Sequence, residues 1–136
     1  MKLKIFTIML VLIITACRTS KIQLQQGDSI QLKKAYLQKI VPGMEGMKIR
    51  DYLFLELEAY NIKEYLIDSI YFLNKVYHNK KYALKYKIDL SQGNDMQNPQ
   101  YTSNNKNIAT IFYHQNNTPF YLNITGIFRK KTLYMP

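Results

Sequence analysis

The chain holds one cysteine, Cys17, so no disulfide can form within it, and its stability must come from packing and backbone pairing. Its two histidines, His78 and His114, stand 36 residues apart, and neither has a nearby thiol or imidazole at zinc-site spacing. Gly93-Asn94-Asp95 offers a hard cation a single carboxylate, too little for calcium. No metal and no cofactor is therefore expected. Tryptophan is absent, which removes the ring most used in carbohydrate platforms. Only five glycines and four prolines occur in 136 residues, so low-complexity and collagen-like chains are excluded. No run of five like charges appears. The longest apolar stretch, residues 5–16 (IFTIMLVLIITA), would reach only about 18 Å as a helix, against about 30 Å of hydrocarbon in a bilayer.

That stretch follows Lys2 and Lys4 and ends at Ile14-Thr15-Ala16-Cys17, the layout of an export signal with small residues at a cleavage site. A plain secretory signal cut after Ala16 would leave Cys17 as a free thiol in an oxidising compartment. The quartet resembles the lipobox of bacterial lipoproteins: a branched aliphatic residue, a hydroxylated one, alanine and cysteine. The resemblance implies that the Cys17 thiol receives a diacylglycerol, that residues 1–16 are removed, and that the new amino group is acylated. The membrane is then the first partner. Arg18 stands where some lipoproteins carry a retaining aspartate, and Thr19, Ser20 and Lys21 lack an acidic export tag. The resemblance thus implies the periplasmic face of the outer membrane. Residues 17–28 are polar and aperiodic and read as a tether, leaving 29–136 as one domain.

Charge is the second global feature. The formal net charge is +10; removing Lys2 and Lys4 from 19 basic residues leaves 17 against 9 acidic ones, a formal +8. Such a balance attracts lipid phosphate or acidic glycan, while nucleic acid is not expected in an envelope. Scattered lysine pairs also serve plain solubility.

From residue 30 onward the chain reads as strand after strand. Twelve tyrosines with 47% apolar residues suit pleated, half-buried surfaces. Residues 30–38 form a first strand, ended by the turn 42–46. Residues 51–60 (DYLFLELEAY) alternate, with Leu53, Leu55, Leu57 and Ala59 on one face and Tyr52, Phe54, Glu56 and Glu58 on the other. Residues 65–73 are mostly apolar, as for a strand covered on both sides. Residues 82–90 carry Tyr82, Leu84, Tyr86, Ile88 and Leu90 at every second position, which predicts a nine-residue strand with both tyrosines facing inward. A long loop over 91–107 follows, then strands over 108–113 and 120–129, and a short piece at 132–134 that pairs at an edge.

Six or seven short strands with polar turns and no amphipathic helix point to an all-β, immunoglobulin-like antiparallel sandwich of about seven strands, with a small β-barrel as the alternative. The segments 34–39, 42–47 and 68–72 and the lysine-rich stretch after them also resemble small lipoproteins of Bacteroidota-type bacteria. That likeness implies a lipid-anchored β-sandwich and supplies no catalytic residue.

A hydrolase needs a nucleophile, a base and an orienting group. The one thiol is committed to the anchor, and His78 and His114 lie in polar stretches that read as turns, so no enzymatic activity is expected. Lys75, Lys80, Lys81, Lys85 and Lys87 interleave with Tyr77, Tyr82 and Tyr86, a candidate hairpin for anions. The expected function is a lipid-anchored, non-enzymatic binding or scaffolding module that holds another envelope protein. An anion binder is the alternative reading, and an envelope hydrolase comes last.

Overall fold

The computed structural model describes residues 25–27, 29–96 and 105–136. Two sheets face each other across one apolar core. The first contains β2 (Ile30–Val41), β3 (Arg50–Ala59), β6 (Lys85–Asp89) and β10 (Phe128–Arg129), in the order β10-β2-β3-β6, with β11 (Leu133–Tyr134) also on β2. The second runs β1-β9-β8-β4-β5-β7, with β1 (Gln25–Gln26), β9 (Thr118–Ile124), β8 (Ala109–Gln115), β4 (Tyr65–Phe72), β5 (Lys75–Lys81) and β7 (Asn94–Asp95). The long strands pair antiparallel, while the two-residue pieces β1, β10 and β11 pair parallel. No ladder joins the two sheets among the described residues, so the fold is a sandwich and the barrel alternative is set aside.

Seven described strands have five or more residues. The first, second and fifth share one sheet; the third, fourth, sixth and seventh share the other. First, second and fifth facing third, sixth and seventh is the immunoglobulin-like Greek key, here with the fourth strand on the second sheet.

Alternation builds the core. On β3, Leu53, Leu55 and Leu57 are buried, whereas Tyr52, Phe54 and Glu56 on the opposite face remain partly in contact with solvent. Ile67, Ile70 and Ile111 meet them from the second sheet, and Tyr113 packs edge-on to Tyr65 and stacks on Phe120. With no disulfide, this apolar contact carries the stability.

Several expectations change. Strand β4 is not covered on both sides: Tyr65, Ile67, Ile70 and Phe72 face the core, while Leu66, Asp68 and Tyr71 are half-buried outside. A bulge between Ile67 and Ser69, present against both neighbours, shifts the register and hides the alternation in the sequence. The nine-residue strand over 82–90 shortens to Lys85–Asp89. Tyr86 is buried as expected, but Tyr82 is 59% exposed, because residues 82–84 carry the chain from one sheet to the other. His78 and His114 lie in β5 and β8, not in turns.

The turns that close β4–β5 and β8–β9 are Leu73-Asn74 and Asn116-Asn117, all with positive φ, as a two-residue hairpin turn of the primed type requires. The stretch 120–129 divides into β9 and β10 around Gly126, whose φ is +72°. Within 91–107, Asp89 caps a 3-10 turn at Leu90–Gln92 and β7 follows; residues 97–104 lie outside the described residues. The sheet begins at Gln25, inside the stretch read as a tether. Cys17 and the signal segment lie outside the described residues.

Candidate functional site

The outer face of the first sheet gathers rings and ammonium groups into one surface. Register places Phe128 beside Tyr36, Tyr36 beside Phe54, and Phe54 beside Lys87, a row crossing four strands. Adjacent strands lie about 4.8 Å apart, so neighbouring side chains in the row touch. Tyr36 and Phe54 stack with centroids 4.9 Å apart and planes at 12°; Phe128 is 5.9 Å from Tyr36, and Tyr52 is 6.2 Å from Phe54.

Three lysines lie over these rings. The Lys130 ammonium is 3.8 Å from the centre of Tyr36, which Lys34 also approaches at 5.6 Å. Lys87 stands 4.4 Å from the centre of Tyr52 and 5.9 Å from that of Phe54. Each such contact is worth about 0.5–1 kcal/mol at an exposed site, enough to bias a side chain toward one position.

Three carboxylates near this surface are engaged elsewhere, while Glu58, on the same face of β3, joins no ion pair among the described residues. Glu56 pairs with Lys85 at 3.6 Å and Lys33 at 3.8 Å; Asp51 holds Arg129 at 3.0 Å; Asp89 holds Arg50. Partial burial pushes the Asp89 carboxyl up, but bonds from Ser91 and from Arg50 outweigh it and leave it below the usual range. The hydrogen bond from Arg50 to Asp89, reinforced by their opposite charges, raises the guanidinium in turn. Among the described residues, Lys34, Lys87 and Lys130 join no ion pair. Their charges rest on aromatic faces and stay available to an external anion.

The lysines singled out by sequence do not form one hairpin. Strands β5 and β6 are not partners: β5 pairs with β4 and β7, and β6 with β3 on the opposite sheet. Lys75, Lys80 and Lys81 thus belong to one sheet and Lys85 and Lys87 to the other. Of the five, Lys87 joins the aromatic row and Lys85 neutralises Glu56. Tyr77 and Tyr86 belong to the core. The missed members are Lys34, Tyr36, Phe128 and Lys130, and the signal for them was the polar phase of the alternation, Lys34-x-Tyr36 and Phe128-x-Lys130.

Among the described residues no group of three or more His, Cys, Asp or Glu side chains is placed to hold a metal ion. No helix among them is long and apolar enough to cross a membrane. Comparison of the chain with family models, with curated proteins and with solved structures finds no match.

Proposed function

We propose that the protein is a lipid-anchored, non-enzymatic binding module of the cell envelope, held through Cys17 on the periplasmic face of the outer membrane. Its binding surface is the lysine and aromatic face of the first sheet, and its ligand an acidic glycan. The supporting observation is that Lys34, Lys87 and Lys130 stand over Tyr36, Tyr52 and Phe54 while Asp51 and Glu56 pair with other cations. Rings present flat surfaces to sugar C–H groups, and the ammonium groups meet carboxylate or phosphate. The row runs across strands and so suits an extended ligand. This reading moves the anion site from the 75–87 segment to the first sheet and keeps Lys87.

The test is titration with polygalacturonate, a uronic acid polymer, beside neutral dextran of matched length. Saturable binding to the polyuronate alone is expected, weakening at least about fivefold between about 50 and about 300 mM salt as the charges are screened. Equal binding of both polymers, or a flat salt response, would remove the proposal.

A further inference from the structure

The second sheet carries a different surface, on its outer face. The β4 bulge at Asp68 and the Asn116-Asn117 turn border a cleft of about 470 Å³, lined by Lys63, Glu64, Asp68, Lys80, Tyr82 and His114 together with Leu66 and the two asparagines. It adjoins a recess of about 250 Å³ formed by Tyr71, Phe112, Pro119 and Phe120 with Ser69 and Tyr113, and Asp68 and His114 line both. One half is therefore polar and the other largely apolar.

The charges of the polar half are balanced yet not joined. Lys63, Glu64, Asp68 and Lys80 all line the cleft, and none of the four makes an ion pair within 4 Å among the described residues. An Asn61 side-chain amide donates to Glu64 at 3.0 Å and orients that carboxylate. A simple anion would leave Glu64 and Asp68 opposing it, and a simple cation would leave the lysines. A ligand bearing both signs on one short group satisfies the set, and an apolar body attached to it fills the recess.

Position supplies the source. The Ser29 hydroxyl donates to Gln115 at 3.2 Å, and Gln115 lies between His114 and Asn116 of the cleft. The cleft is thus at the end of the sandwich where the chain joins its N-terminal segment. Eight residue-to-residue steps lead from Cys17 to Gln25, a reach of at most about 28 Å.

We propose that this cleft binds a zwitterionic phospholipid of the anchoring leaflet, with Lys63 and Lys80 donating to the phosphate and Glu64 and Asp68 accepting from the ammonium. Its orientation toward the membrane rests on the lipid-anchor reading of Cys17; its ligand chemistry does not. The acyl region lies along Tyr71 and Phe112.

Monomeric dihexanoyl phosphatidylethanolamine is titrated into the full chain carrying Cys17→Ser, alongside dihexanoyl phosphatidylglycerol and free phosphoethanolamine. Saturable binding of the first is expected, with the other two about tenfold weaker or more, the cost of one charge-assisted contact or of the apolar body. Lys80→Glu and Asp68→Lys should each weaken it to a similar degree while unfolding at the same temperature as the parent. Binding of phosphatidylglycerol as tight as of phosphatidylethanolamine, free phosphoethanolamine binding as tightly as the lipid, or variants that bind like the parent would each overturn the proposal. Both variants lie on the sheet opposite the glycan face. A failure here with polygalacturonate binding intact therefore separates the two proposals.

Discussion

Gly27 lies against the Tyr113 phenol so closely that a Cβ at this position would stand 1.6 Å from the hydroxyl oxygen and 2.6 Å from the ring carbon that bears it. The Gly27 N–H donates to Tyr121 at 2.9 Å, which fastens β1 to β9. Tyr113 is itself locked between Tyr65 and Phe120 and cannot swing away. Gly27→Ala should therefore destabilise the fold by about 1–3 kcal/mol through overpacking, read as a lower midpoint in urea. An unchanged midpoint would show that β1 is dispensable.

Leu53 and Phe54 are neighbours with opposite tasks. Leu53 is 0% exposed, in the centre of the core, and Leu53→Ala should cost about 2–5 kcal/mol as a cavity is left. Phe54 stacks on Tyr36 on the outer face, and Phe54→Ala should cost about 1 kcal/mol while weakening polyuronate binding. Urea unfolding and titration of the two variants separate the fold from the site.

Stability should fall in alkali. Burial holds the Tyr86 phenol up to about 12, against a backbone bond from Ala83 that pulls the other way, and burial also raises Tyr77, helped by the Asp89 charge. Between about pH 10 and 12 the unfolded chain releases a proton that the folded chain keeps. The stabilisation is therefore complete below pH 10 and is lost as pH climbs toward 12, by roughly 1–2 kcal/mol for Tyr86. In Tyr86→Phe, urea midpoints measured from pH 9 to 11.5 should fall less steeply than in the parent.

Cys17→Ser removes the only thiol on which a thioether-linked lipid can be built. The variant should move from the membrane fraction to the soluble fraction on cell fractionation. A variant that stays with the membrane would contradict the anchor.

Much of the fold was legible because alternation reports burial directly: Leu53, Leu55 and Leu57 read as one face and are one face. The bulge at Asp68 was hidden, since one extra residue makes an alternating strand look uniformly apolar. Tyr82 misled because period-2 spacing continues through a point where the chain changes sheets. Polar neighbours make both histidines read as turn residues, although a strand face toward water is polar too. Candidate sites were the least legible part. Lys75 and Lys87 are near in sequence but on opposite sheets, whereas Tyr36, Phe54 and Phe128 meet only through strand pairing across more than ninety residues.

Charge reversal on the two sheets tests the central claim most directly. The double variant Lys87→Glu with Lys130→Glu should lose polygalacturonate affinity by about tenfold or more, whereas Lys75→Glu with Lys81→Glu, equal in net charge, should stay within about twofold of the parent. Equal losses from the two pairs would mean that net charge alone draws the polymer, and the lysine and aromatic face would not be the binding site.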